Sequence, residues 1–283
     1  MSIFRNPGAD IWIRDELSLD EALARTTHFG IGAHQDDLEF MAFEGIAACY
    51  ESEDQWFSGV TVTDGRGSSR VGPYASYSDD EMCLARKEEQ RKAAEIGRYS
   101  AQIQLDYSSK AVKGNVREAV IEDLVALLRK MKPNTVYLHQ PADKHDGHVA
   151  VLGRCIEALR RTAEHHIPER IIGCEVWRGL DWLADSDKVA MDCGAYPKLT
   201  ESLNAVFDSQ IAGGKRYDLA VLGRRRANAT FFDSHGSDTY SSVAWGVDLK
   251  PLIEDAELSM ETFILEKIAQ LSQDVANRVS KFI

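Results

Sequence analysis

The sequence predicts an α/β fold: a Rossmann-like, mostly parallel sheet with helices on both faces. From residue 28 onward, short apolar runs alternate with longer segments whose apolar residues recur at helical spacing. Such alternation indicates βαβ units, whose crossovers cover both faces of a parallel sheet. After the first strand, where a dinucleotide-binding fold has GxGxxG, the chain reads GIGAHQDD. A dinucleotide site is therefore disfavoured.

Residues 28–166 alternate between predicted strands and predicted helices. The strands are short and apolar, and they are predicted over 28–33, 56–63, 102–107 and 135–140. The helices have apolar residues three and four positions apart, and they are predicted over 37–52, 79–99, 115–131 and 147–166. In open α/β sheets, ligands bind where strands end and helices begin, so those junctions are where a site is expected.

After about residue 170 the alternation becomes less regular. Strands are predicted over 170–179 and 188–194, and helices over 196–210 and 254–282. No repeat or low-complexity linker separates this half from the first. We therefore expect one domain over residues 1–283, in which the second half completes the sheet and covers the substrate site.

Composition and charge exclude several classes of protein. The net charge of −12 disfavours nonspecific binding to nucleic acid or to an anionic membrane. The five cysteines form no CxxC pair and are odd in number, so a disulfide framework is not expected and a reducing cytoplasm is. No run of about 18 apolar residues is present, which argues against a membrane span.

The segment GAHQDDLEF contains the first group of residues that can carry chemistry. His34, Asp36 and Asp37 follow the first predicted strand and begin a helix. Histidine and carboxylate are common ligands of Zn²⁺, and the i, i+3 spacing lets His34 and Asp37 reach one ion on a tight turn. Asp36 could then hold or deprotonate a water beside the metal. The alternative is a plain helix cap, with Asp36 or Asp37 as the N-cap residue.

The segment HQPADKHDGHVAV, which follows the fourth predicted strand, holds the second group. Three of the eight histidines in the chain lie here, together with two aspartates: His139, Asp143, His145, Asp146 and His148. The alternative is a polar, solvated loop. Both groups lie at carboxyl ends of predicted parallel strands, so they can face one crevice. Two histidines and one carboxylate, with one position left open, are typical of a catalytic zinc site.

These motifs resemble those of the PIG-L deacetylase family, also called LmbE-like, which contains zinc-dependent N-acetylglucosaminyl de-N-acetylases. The family's AHPDD motif reads AHQDD at 33–37, and its HxDH motif reads HDGH at 145–148. Weaker matches are TVTDGRG at 61–67 and an R-x-x-E-x-x-x-A-A pattern from Arg86. Ser209-Gln210 resembles a late S-Q element.

The resemblance implies an LmbE-like fold and a role for each matched residue. His34, Asp37 and His148 are expected to bind zinc. Asp36 is expected to be the general base, and His145 to stabilise the oxyanion or protonate the leaving amine. The implied enzyme hydrolyses a linear amide C–N bond with metal-activated water, on a small-molecule amino-sugar substrate. An assembly of identical subunits is expected by family analogy alone.

The chain departs from the family pattern at two positions within the matched segment, 26–160. Gln35 replaces the usual proline, and Gly147 replaces the aspartate of HxDH. In the family, that aspartate is expected to orient a histidine. Asp143 and Asp146 are both candidates to replace it.

Candidate substrate-binding residues are Arg66, Asp143, Glu175, Trp177 and His235, for which solvated or packing roles are the alternatives. The run 224–226, RRR, is interpreted as a solvated face, with an anionic substrate or a partner subunit as the alternative.

Three hypotheses of function are compatible with these features. The first is removal of an N-acetyl group from an amino sugar or its conjugate. The second is a zinc amidase that cleaves a different acyl amide or a thiol–sugar conjugate. The third is a non-catalytic module that binds a sugar or a nucleotide.

Overall fold

The structure, a computed structural model, describes residues 3–114, 117–232 and 235–283. Within these ranges, eight strands form one mixed sheet. In chain order they are β1 (Asp10–Ile13), β2 (His28–Gly32), β3 (Phe57–Thr63), β4 (Ala101–Tyr107), β5 (Thr135–His139), β6 (Arg170–Cys174), β7 (Lys188–Asp192) and β8 (Val243–Asp248).

Helices connect most of the strands. Those formed by the described residues are α1 (Leu19–Ala24), α2 (Asp37–Met41), α3 (Phe43–Cys49), α4 (Asp79–Ile96), α5 (Ser109–Lys113), α6 (Arg117–Met131), α7 (Asp146–Thr162), α8 (Pro197–Ala205), α9 (Asp208–Ile211), α10 (Tyr217–Thr230), α11 (Pro251–Glu254) and α12 (Met260–Val279). Among these, none combines the length and the apolar character that a membrane-spanning helix needs.

The order of strands in the sheet is β1-β4-β3-β2-β5-β6-β8-β7. Strands β4, β3, β2, β5 and β6 are parallel, whereas β1, β8 and β7 pair antiparallel with their neighbours. The chain runs outward from β2 through β3 to β4 and then returns to place β5 on the other side of β2. This reversal of strand order creates a crevice beyond the carboxyl ends of β2 and β5, where open α/β sheets bind ligands.

The two faces of the sheet bury separate apolar cores. Phe29 and Ile31 of β2 face the core that α6 and α7 cover, together with residues such as Leu124. On the opposite face, Leu38 and Phe57 belong to the core covered by α2, α3 and α4. Strand side chains alternate between faces, so a strand buried on both sides must be apolar throughout or carry glycine.

Two glycines of β2 bring the start of α2 close to the sheet. A Cβ atom on Gly30 would lie 2.9 Å from Cδ2 of Leu38, and one on Gly32 would lie 2.9 Å from Cβ of Asp37. Real Cβ atoms do not approach other atoms so closely, so both positions require glycine for α2 to pack where it does. The alternation Phe29-Gly30-Ile31-Gly32 therefore fixes where Asp37 stands.

The structure confirms the predicted α/β class and the alternation over the first 166 residues. One predicted helix, 37–52, is instead two, because the backbone at Ala42 leaves the helical region with φ −112° and ψ 20°. The first two residues predicted for the helix 115–131 lie outside the described residues, and α6 covers the rest. The sequence pattern missed β1, α10 and β8. The predicted strand 170–179 ends at Cys174, but residues after 170 do contribute β6, β7 and β8 to the same sheet.

Replacing Gly45 in α3 with alanine is expected to destabilise the fold. The added Cβ would lie 2.5 Å from Cε2 of Tyr137, which is fully buried and cannot move aside without repacking. We expect the free energy of unfolding to fall by about 1–3 kcal/mol, as in other overpacked cores. In α7, Gly153→Ala is the matched control: its Cβ would make an ordinary 3.6 Å contact with Met260. That variant should gain about 0.5–1 kcal/mol from helix propensity. Urea denaturation measures both, and equal stability changes would contradict the argument.

Candidate metal centre and cavity

The turn between β2 and α2 carries the first group of polar residues. The His34 backbone N–H donates to Oδ2 of Asp37 at 2.7 Å, which folds the aspartate back over the end of β2. Asp36 lies in the left-handed region with φ 98°, a conformation that is strained for most residues and best tolerated by glycine, asparagine and aspartate. Thr63 at the end of β3 anchors the turn, because its hydroxyl donates to the Ala33 carbonyl at 2.7 Å.

Three side chains from the two groups converge at the ends of β2 and β5. Nε2 of His148 lies 3.3 Å from Nδ1 of His34 and 3.3 Å from Oδ1 of Asp37, and Nδ1 of His34 lies 3.3 Å from Oδ2 of Asp37. In a tetrahedral zinc site with bonds of about 2.0–2.1 Å, the ligand atoms lie about 3.3–3.4 Å apart. The donor types and the 3.3 Å between the two nitrogens, each of which has one oxygen of Asp37 beside it, therefore fit a zinc ion.

His139 also lies beside Asp37, but its lone pair is already used. Its Nε2 is 3.3 Å from Oδ2 of Asp37 and accepts a hydrogen bond from the Ala33 backbone N–H at 3.0 Å. A backbone N–H can act only as a donor, so Nε2 carries no proton and its lone pair points at Ala33. Burial lowers the pKa of His139 to about 4, which keeps the ring neutral. His139 thus holds the Ala33 backbone at the start of the turn rather than offering a metal ligand.

Asp143 replaces the carboxylate that the sequence lacks at position 147. Its Oδ2 lies 3.5 Å from Nδ1 of His148 and accepts the Trp177 backbone N–H at 3.1 Å, and its Oδ1 accepts the His145 backbone N–H at 2.9 Å. Burial alone would raise its pKa, but contact with His148 lowers the pKa overall. Asp146 is exposed at the start of α7. Of the two candidates from the sequence, Asp143 is the one that faces His148.

Gly147 leaves room for two histidine rings. A Cβ there would lie 3.1 Å from Nδ1 of His145 and 3.3 Å from Cε1 of His34, which is tighter than most real contacts. The rings of His34 and His145 pack edge to face with centroids 4.8 Å apart. An aspartate at position 147 would push against both rings. Glycine at this position leaves space for the rings, and the carboxylate beside His148 comes from Asp143 instead.

A buried arginine holds Asp36. Arg86 donates to Oδ2 of Asp36 at 3.2 Å and to the Gln35 carbonyl, and it forms an ion pair with Glu89 at 3.5 Å. Burial raises the pKa of Asp36 to about 6, while the guanidinium of Arg86 opposes the shift. Glu89 in turn accepts the hydroxyl of Ser209 at 2.7 Å, which ties the late S-Q element to α4.

These side chains open into a cavity of ≈ 530 Å³. His34, Asp36, Asp37 and His145 line it. Aromatic rings continue from there: Trp177 stacks on His145 with centroids 5.9 Å apart and an interplanar angle of 27°. Other rings and side chains along the wall are Phe40, Gln210 and Tyr217. The volume suits a ligand of the size of a sugar or a small conjugate.

The remaining predicted substrate-binding residues differ in their placement. Trp177 and Glu175 line the cavity, although Glu175 also accepts hydrogen bonds from Asn228, the Trp245 backbone and the Leu180 backbone. Arg66 pairs with Asp64 at 3.2 Å and with Asp80, and it is not among the described residues that line the cavity. His235 is exposed and does not line it either. The assignment of these last two to substrate binding has no support from the geometry.

Sequence reasoning missed two residues that shape the site. Tyr217 is in α10, a helix that the periodicity did not predict, and its ring meets Trp177 edge to face. Arg225 was included in the solvated run 224–226, which is wrong for this residue, since only 2% of it is exposed. It donates to the carbonyls of Glu39 and Phe40, which end the short helix α2. Charge alone did not distinguish Arg225 from its exposed neighbour Arg226.

Comparisons with known proteins were consistent with this geometry. A family model described as GlcNAc-PI de-N-acetylase, PIG-L, matches residues 30–159. No curated protein sequence matches the chain.

Solved structures share the fold at low sequence identity. The N,N'-diacetylchitobiose deacetylase from Pyrococcus horikoshii is 17% identical with a TM-score of 0.62, over 85% of this chain and 96% of that one. GalB, the 4-carboxy-2-hydroxymuconate hydratase from Pseudomonas putida KT2440, is 17% identical with a TM-score of 0.60, over 79% and 96%. A zinc-inhibited form of the teicoplanin deacetylase Orf2 is 16% identical with a TM-score of 0.53, over 78% and 98%.

Identities this low establish the architecture and no more. The family match is a match of sequence; it runs from within β2 to within α7 and so includes every residue of the converging group. Residues 30–159 are thus similar to the PIG-L family, as the resemblance of their motifs predicted.

Proposed function

We propose that the protein is a zinc-dependent hydrolase that removes the N-acetyl group from an amino sugar or its conjugate. The observation that carries the proposal is the convergence of His34, Asp37 and His148: the two ring nitrogens lie 3.3 Å apart, and each lies 3.3 Å from one oxygen of Asp37. These residues belong to the two family motifs, and His34 and Asp37 line a cavity large enough for a sugar.

His34, Asp37 and His148 would hold the ion. When bound, zinc supplies Lewis-acid polarisation of a carbonyl and lowers the pKa of water toward neutrality. The protein contributes the orientation of its ligands: Asp143 faces Nδ1 of His148 and so directs Nε2 toward the centre. A protein that shares this fold is a hydratase, so the ion alone does not define the reaction.

Asp36 is placed to act as general base. Its carboxylate lines the cavity beside Asp37, and Arg86 holds Oδ2, while no described residue hydrogen-bonds Oδ1. Oδ1 is thus available to take a proton from the attacking water. The guanidinium keeps the carboxylate oriented and favours its ionised form, which is the form that accepts the proton.

We infer that His145 stabilises the oxyanion or protonates the leaving amine. Its ring lies 4.5 Å from that of His148 and stacks on Trp177, which fixes its plane at the wall of the cavity. Nδ1 of His145 is buried without a hydrogen-bond partner among the described residues. A ring held in this way can donate to the developing oxyanion or pass a proton to the leaving amine.

A hydratase reaction is the second candidate, since one protein of the same fold is the hydratase GalB. Both reactions use a water and a base, and they differ in whether an amide bond is broken.

The decisive test is metal analysis of the purified protein followed by assay of acetate release from GlcNAc, diacetylchitobiose and phosphorylated GlcNAc. We expect about one zinc per chain, acetate release, and its loss on chelation with recovery on adding zinc. Metal-free protein that releases no acetate from any of them would contradict the proposal.

Replacing Asp36 with asparagine is expected to abolish most turnover and leave the fold intact. Asparagine tolerates the left-handed backbone of this position, so the turn can keep its shape. Loss of a general base should lower kcat by about 10²–10⁴-fold. Steady-state acetate release measures this, with zinc content as the check that the ligands are undisturbed. Asp146→Asn, an exposed change of the same kind, serves as the control. If Asp36→Asn retained full kcat with zinc bound, the base would be another group.

Replacing Asp143 with asparagine is expected to weaken zinc binding. The change removes the negative charge that faces Nδ1 of His148 but keeps nearly the same shape. Loss of such a partner typically costs about 10–100-fold in metal affinity. Competition with a chromophoric chelator gives the dissociation constant, and Asp146→Asn should leave it near the parent value. Equal affinities for both variants would show that Asp143 does not orient His148.

A further inference from the structure

The last helix, α12, carries apolar side chains that the rest of the described chain does not cover. Its first turn packs on the body of the protein, because Phe263 and Ile264 belong to the larger apolar core. Lys267 donates to Asp187 at 2.8 Å, which holds one side of the helix against the segment before β7. Beyond Ile264, no apolar side chain of α12 joins either core.

These uncovered side chains recur at alternating intervals of three and four residues. The series has five apolar members, each between 42% and 88% exposed, and one serine; it is here called the α12 stripe and consists of Leu265, Ile268, Ser272, Val275, Val279 and Phe282. The first five members lie on α12, and Phe282 lies in the turn that follows it. Apolar residues with this heptad spacing line one side of a helix and are typical of helices that pair in coiled coils.

The other sides of α12 indicate a protein partner rather than a lipid surface. Polar residues lie opposite the stripe, and they include Gln270, Gln273 and Asn277. Helices that bind anionic lipid carry many lysines and arginines on the polar side, whereas α12 has three acidic residues and only two basic ones. Ala269 and Ala276 flank the stripe, and side chains this small let a second helix approach closely.

The area of the stripe suits a contact between two copies of the chain. Pairing of two stripes would bury about 1,000 Å² of surface in total, which is near the lower limit for a specific protein–protein interface. A single copy has no other segment among the described residues that covers it. A second copy supplies an identical stripe, as a two-fold symmetric interface requires.

We propose that two copies of this chain associate through α12, with their stripes packed antiparallel. The intervals of the stripe read the same in both directions, so every member can face a member of the other copy. Ser272 then lies opposite the partner's Val275, and Leu265 lies opposite the partner's Phe282. A parallel pair would place the two small Ser272 side chains opposite each other and leave a void in the contact. Antiparallel helices also bring opposite ends of their macrodipoles together.

Sedimentation equilibrium of the full chain between about 1 and 100 µM tests the association. We expect dimers, with twice the 31.6 kDa of one chain, or assemblies built from such dimers. A parent protein that stays monomeric at the highest concentration would overturn the proposal. Flotation with phosphatidylcholine–phosphatidylglycerol vesicles is measured in parallel, and a monomer that binds these vesicles would assign the stripe to a lipid surface instead.

A double variant shows whether the stripe forms the contact. Ile268→Glu together with Val275→Glu would bury four unpaired carboxylates in the pair, so the dissociation constant of the dimer should rise about 100-fold or more. The matched control, Gln270→Glu together with Gln273→Glu, adds the same charge to the side of the helix away from the stripe and should keep the parent's mass. Circular dichroism checks that both proteins are folded. Equal masses for the parent and the stripe variant would contradict the proposal.

Disulfide cross-linking determines the direction of the two helices in a chain that keeps its stripe almost intact. The five native cysteines are all buried, so new exposed thiols can be oxidised selectively. Chains with Ser272→Cys and chains with Val275→Cys are mixed and oxidised, and mass spectrometry identifies the linked pairs. Antiparallel packing should give mostly the mixed pair. A predominance of pairs between two Ser272→Cys chains, or no linked pairs at all, would overturn the antiparallel arrangement.

Discussion

The parallel ladder between β2 and β5 is the contact on which the candidate site depends. His28 pairs with Thr135 and Gly30 with Tyr137, which brings together two segments more than a hundred residues apart in the chain. Neither motif can form a centre alone: one supplies a histidine and a carboxylate, and the other supplies the second histidine. Hydrophobic burial of both faces of β2 stabilises its pairing with β5. The apolar cores thus indirectly set the distance between the candidate metal ligands on the two segments.

A second constraint is the buried charge of Arg86, which connects the two halves of the protein. Its guanidinium contacts the turn that bears Asp36 and, through Glu89, the Ser209 hydroxyl of the second half. An unpaired buried guanidinium would be costly, so each partner stabilises the position of the others. The wall of the cavity formed by α9 is therefore aligned with Asp36, the proposed base, because both are tied to one side chain.

Periodicity predicted the sheet and its parallel centre, and the rule for strand ends predicted that the two polar groups meet. The resemblance to the PIG-L family then singled out His34, Asp37 and His148 among them. Periodicity could not predict β8 or α10, whose formation depends on antiparallel pairing and packing across the second half. Two further features had no local signal: Arg225 differs from Arg226 only in burial, and Asp143 replaces a carboxylate missing at Gly147 through a contact in space. Such roles depend on which side chains come together in the folded chain, and a single sequence does not show this.

The left-handed backbone of Asp36 limits the substitutions that position 36 can accept. Few residues accept that conformation: glycine, asparagine and aspartate do so with least strain, and of these only aspartate carries a carboxylate. Glutamate, the usual conservative exchange, would be disfavoured by the backbone before its chemistry was tested. Substitutions that folding permits here are therefore those that remove the proposed base and keep His34, Asp37 and His148. If the proposed function holds, one substitution at position 36 leads to a protein that keeps its binding site and no longer turns its ligand over.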